Sequence, residues 1–116
     1  RVYSRIAAVD TMKERDSVLS DLADVYGPVP DSVKNLVDVA LIKNLAGAAG
    51  ADKITLKRGE SSLGFGKIAD IDPRVNAAVS AHGGALNAAS ATISFPSAAK
   101  MLKFLLDCAK IDRSND

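Results

Sequence analysis

The hydrophobic pattern predicts an α+β fold: an N-terminal helical hairpin region packed beside a small sheet, in the order ααα-β-β-α-β-α. Three observations carry this. Apolar residues recur at a helical spacing from Val2 to Leu45. The period drops to two at Ile54. Glycine and proline clusters then separate further segments whose periods alternate between the two.

Val2, Ile6 and Val9 fit a short opening helix. Thr11 with Glu14 reads as a capping box, in which the hydroxyl accepts the third amide and the carboxylate reaches back. Val18, Leu19, Leu22, Val25 and Tyr26 form the apolar stripe of a second helix, which Gly27-Pro28 ends. Asp31 is the expected N-cap of a third, with Val33, Leu36, Val37, Ala40, Leu41 and Leu45 as its buried face. That helix fades through Gly47 and Gly50.

Ile54 and Leu56 alternate with Thr55 and Lys57 as a strand. Gly59-Glu60-Ser61-Ser62 reads as a turn, and Leu63 and Phe65, extending to Lys67-Ile68, as a second strand. Asp72-Pro73 pairs an N-cap with proline at the first helical position, so a fourth helix runs to about His82 and stops at Gly83-Gly84. Ala91, Ile93 and Phe95 mark a third strand. Ser97 caps a last helix carrying Met101, Leu102, Leu105, Leu106 and Ala109. Asp112 to Asp116 read as a polar tail, a natural or frayed end, and the abrupt helical start at Arg1 suggests a piece cut from a longer chain.

The 116 residues fit a single domain, 1–116, able to bury its own core. Hydrophobic residues at 47% and charged residues at 25% are ordinary for a globular protein and argue against disorder. No apolar run is long enough to span a membrane. The lone Cys108 rules out an internal disulfide and fits a cytoplasmic location.

Few residues offer catalytic chemistry. Gly64-Phe65-Gly66-Lys67 lacks the spacing of a phosphate loop and opens no helix. His82 has no cysteine or second histidine at metal-ligand spacing and reads as a helix-end cap or an exposed side chain. Cys108 sits on an apolar helix face, as packing cysteines do. No catalytic, cofactor-binding or metal-binding residue is therefore assigned.

Charge segregation is the more informative feature. Residues 10–38 hold seven acids and three bases, a net −4, whereas the remainder holds seven acids and twelve bases, a net +5. Glu14, Ser17, Asp21 and Asp24 fall on one stripe of the second helix at spacings of three and four. That stripe is either a solvated face or a docking surface for arginines of another protein. The overall charge of +1 makes no electrostatic case for autonomous nucleic-acid binding. An accessory nucleic-acid site would have to use Lys53, Lys57, Arg58, Lys67 and Arg74, which Asp52, Glu60, Asp70 and Asp72 interrupt.

The runs Val2-Tyr3-Ser4-Arg5-Ile6-Ala7, Asp21-Leu22-Ala23-Asp24-Val25-Tyr26-Gly27-Pro28-Val29-Pro30 and Val33-Lys34-Asn35-Leu36 resemble the start of the C-terminal domain of the bacterial transcription-repair-coupling factor. The resemblance covers about residues 2–56. One departure is Val25, where the family often has arginine. The resemblance implies a parent that is an ATP- and Mg-dependent double-stranded-DNA translocase, acting on stalled RNA polymerase in transcription-coupled repair. This domain itself would be non-enzymatic and without cofactor. It would dock on the UvrB-like N-terminal module of the parent and mask UvrA recruitment, with Asp21 and Asp24 at the family's acidic contact positions.

Overall fold

The computed structural model describes residues 2–114, and side chains over 4–110. The side chains of Val2, Tyr3 and residues 111–114 lie outside the described ones, as do Arg1, Asn115 and Asp116 altogether. The chain forms two compact units, 1–45 and 46–116.

The first unit holds α1 (Val2–Ala7), α2 (Met12–Tyr26) and most of α3 (Asp31–Ala48). Six residues are too few for a stable isolated helix. Here α1 packs against α2, and Ile6 and Val9 are buried. Asn44 of α3 donates from Nδ2 to the carbonyls of Ala7 (2.7 Å) and Val9 (2.9 Å), which the end of α1 leaves without helical partners.

Thr11 caps α2 as expected, its hydroxyl accepting from the Glu14 amide at 3.1 Å. The second half of the expected capping box does not form: the Glu14 carboxyl sits beside Asp10, whose carboxyl group raises its pKa. Gly27 ends α2, its amide donating to the Ala23 carbonyl at 2.9 Å, with φ of 85° and ψ of −161°. The positive φ needs glycine. The extended ψ follows from Pro28, whose ring disfavours helical ψ in the residue before it.

Two expected faces are corrected. Of the α2 stripe only Val18 is buried, and Val25 and Tyr26 are 71% and 74% exposed. On α3, Leu36 is exposed while Ile42 and Ala46 join Val37, Leu41 and Leu45 among the buried residues. Asp31 is the first helical residue of α3 rather than its cap, because the Pro30 carbonyl already accepts from the Val33 and Lys34 amides. Its charge still favours the helix N-terminus.

The second unit is a four-stranded antiparallel sheet of order β1-β2-β4-β3, built from β1 (Lys53–Lys57), β2 (Glu60–Gly64), β3 (Ala85–Asn87) and β4 (Thr92–Phe95). Two 3₁₀ turns, Ile68–Asp70 and Pro73–Val75, lead into the short α4 (Asn76–Ala81), and α5 (Ala98–Ser114) packs on β2 and β4. The Asp72 cap and the Ser97 cap both form, accepting from the Arg74 and Lys100 amides.

The sheet corrects the sequence reading in three places. β3 is an additional strand. Glu60, Ser61 and Ser62 belong to β2, in register with Lys57, Leu56 and Thr55. Lys67 and Ile68 are not strand: β2 ends at Gly64, and Ile68 opens a 3₁₀ turn. One sheet face carries Ile54, Leu63, Ile93 and Leu86 in one row and Leu56, Ser61 and Phe95 in the next. Phe95 stacks at a tilt on Phe104 of α5, with ring centroids 5.0 Å apart. Residues 112–114 extend α5, where the sequence suggested fraying.

Candidate functional site

The acidic stripe lies on α2. Glu14, Ser17, Asp21 and Asp24 are all exposed, so this face is open to solvent. Two of the four are engaged within the unit. Arg5 of α1 donates from Nη1 to Asp21 Oδ2 at 2.7 Å and from Nη2 to Ser17 Oγ at 3.4 Å. Both ends of the ion pair remain about half exposed, at 51% and 56%, so Asp21 is tethered without being sealed in. Asp24, one turn on, has no hydrogen bond or ion pair among the described residues. Glu14 faces Asp10 at the other end of the stripe.

A second acidic cluster is internal. Arg15 donates from Nε to Asp38 of α3 at 2.5 Å and from Nη1 to Asp16 at 2.9 Å. The Asp38 hydrogen bond pushes the Arg15 pKa above its ordinary value. Asp38 is thereby committed to holding α3 to α2, Asp16 shares the same guanidinium from within α2, and the acid excess of residues 10–38 available to a partner is smaller than the sequence suggests.

An open apolar groove of about 550 Å³ adjoins the stripe, lined by Ile6, Leu22, Tyr26, Val29, Val33 and Leu36 around the Pro28–Pro30 turn. A smaller hollow of about 140 Å³ lies between Arg5, Val18, Asp21, Leu22, Val25 and Tyr26. Leu22 and Tyr26 wall both, so the charged and apolar surfaces are contiguous. The exposed Val25, Tyr26 and Leu36 belong to this surface rather than to a core. Sequence reasoning placed all three on buried faces and gave Arg5 no role. The signal for Arg5 was slight: it is the one base on α1 to face the stripe, and it reaches Asp21 across 16 residues.

The family model of the TRCF domain, from transcription-repair-coupling factor, matches residues 1–75. The chain belongs to the TRCF domain family. No curated protein matches it. Among solved structures it is similar to the crystal structure of the C-terminal domain of a transcription-repair coupling factor. That likeness has a TM-score of 0.78 at 19% identity, over 99% of this chain and 81% of the other.

The basic residues of this TRCF domain do not form one array. Arg74 is held by Asp72 through Nε and Nη2, and those bonds keep the Asp72 carboxyl below its ordinary pKa. Lys53 and Lys57 stand at the two ends of β1, Arg58 in the following turn, and Lys67 beyond β2. The Asp52 and Asp70 carboxylates both approach Gly66, beside Lys67. Gly64, one of the glycines that invite a phosphate-loop reading, is paired in the sheet with Lys53 and Thr92.

His82 is the C-cap residue of α4 through its backbone amide, which donates to the Ala78 carbonyl at 3.1 Å, but its imidazole does not bind the last carbonyls: Nε2 lies 2.5 Å from Asp107 Oδ2, tying the end of α4 to α5. Cys108 is buried on α5. No group of three or more metal-ligating side chains occurs among the described residues, and no helix there is long and apolar enough to cross a membrane.

Proposed function

We propose that this TRCF domain is an autoinhibitory interaction domain of an ATP-dependent double-stranded-DNA translocase in transcription-coupled excision repair. In this reading it docks on the UvrB-like module of its parent, masks the surface that recruits UvrA, and restrains a motor that acts on stalled RNA polymerase. The observation that carries the reading is the exposed pair Asp21 and Asp24, one turn apart on α2 and bordered by an open apolar groove.

The energetics favour such a composite surface. A carboxylate accepting from a guanidinium contributes roughly 1.5–3 kcal/mol, so two contribute about 3–6. Turning a mostly open equilibrium into a mostly closed one takes about 5.5 kcal/mol. Acids alone barely suffice, and Asp21 must also loosen its bond to Arg5. Burial of Tyr26, Val25 and Leu36 at about 25 cal/mol per Å² supplies the difference. Domain and module then stay closed by a margin small enough for a partner to overcome.

Calorimetric titration of the UvrB-like module with this domain tests the reading. Asp21→Ala with Asp24→Ala should weaken binding at least tenfold while leaving the circular dichroism spectrum unchanged. Equal affinities for wild type and double variant would remove the proposed role.

A further inference from the structure

We infer that Arg5 is a built-in competitor: it occupies the Asp21 carboxylate that the docking reading assigns to a partner arginine, and so weakens docking. The inference rests on that reading and adds the regulation of the same surface.

The geometry argues for competition rather than support. Arg5 meets Asp21 through a single nitrogen–oxygen contact of 2.7 Å and spends its second terminal nitrogen on Ser17 at 3.4 Å. A guanidinium binds a carboxylate best through two parallel bonds, so this pairing leaves the stronger arrangement open to an incoming arginine. Arg5 also lines the hollow between Asp21 and Tyr26, the space such an arginine would enter. Its positive charge there repels a cationic partner.

Arg5 is not what holds α1 in place. Ile6 and Val9 are buried, and Asn44 binds the last carbonyls of the segment. The guanidinium can therefore swing away, or be removed, without loss of the helix. Both partners are about half exposed, so the pair is weak and exchange is easy.

The same titration decides the matter. Arg5→Ala should bind the UvrB-like module about 1.5- to 5-fold more tightly at low salt, the range expected for removing one exposed ion pair. The gain should shrink as salt rises. Arg5→Lys, which retains the charge, should bind nearly as wild type does. In the Asp21→Ala background the part of the Arg5→Ala gain that comes from freeing the carboxylate is lost, so the gain should be smaller than in the wild-type background. A melting temperature within about 4 °C of wild type would show that α1 is intact, as expected from a surface pair. Unchanged or weaker binding by Arg5→Ala, with the dependence on Asp21 and Asp24 preserved, would overturn the competition alone. Loss of that dependence would overturn the docking reading and this inference together.

Discussion

Adding one methyl group at Gly84 should cost this fold much of its stability. A Cβ there would lie 2.7 Å from Phe95 Cε2 and 3.0 Å from both Val79 Cγ1 and the Val79 carbonyl oxygen. None of these neighbours yields easily. Phe95 is 1% exposed and rests on Phe104. The Val79 carbonyl accepts from the Gly84 amide itself, at 2.7 Å, so backing away breaks the bond that closes α4. Overpacking costs about 1–3 kcal/mol and a lost backbone bond about 1 more, giving roughly 2–4 kcal/mol for Gly84→Ala. At about 4 °C per kcal/mol the melting temperature should fall by roughly 8–16 °C. Gly47→Ala is the matched control. Gly47 lies within α3 with nothing in reach of an added Cβ, so the same substitution should stabilise by up to about 1 kcal/mol. Thermal and urea unfolding of the two variants would measure both. A shift under 2 °C for Gly84→Ala would refute the close-packing argument.

Two further outcomes follow from single side chains. Ser61 is 1% exposed and its hydroxyl has no hydrogen-bond partner among the described residues, so Ser61→Ala should raise stability by about 1 kcal/mol; a lower melting temperature would show that the hydroxyl is satisfied. The neighbouring Asp10 carboxyl raises the Glu14 pKa above 4.5, so the stability linked to it is complete below the unfolded value and lost as pH rises through the folded one; Asp10→Asn should return the Glu14 carboxyl resonance to an ordinary glutamate titration by NMR.

The helix boundaries were legible because local chemistry writes them. Thr11, Gly27-Pro28, Asp72-Pro73 and Ser97 each satisfy or forbid particular backbone bonds within a few residues of themselves. The strand β3 was not legible. Ala85-Leu86-Asn87 has neither β-branched residues nor a buried alternation, and it exists because β4 offers an edge and Asn87 turns the chain through its bonds to the Ala89 and Ser90 amides. Ser61 misled for the opposite reason, since a run of Gly, Glu and Ser reads as a turn although the register puts Ser61 inside, beside Phe95. The acidic stripe could be read from spacing alone. Its state could not, because the Arg5 contact, the diversion of Asp38 to Arg15 and the exposure of Tyr26 all depend on how three helices meet.

The amide of Asn44 binds two carbonyls at the end of the α1 segment, so a helix of six residues is held by one of eighteen. Anything that shifted α3 along its axis by one residue would strip α1 of its clamp and carry Arg5 off the acidic stripe. The charge state presented by that surface is thus written into the position of a helix that contributes no charge to it.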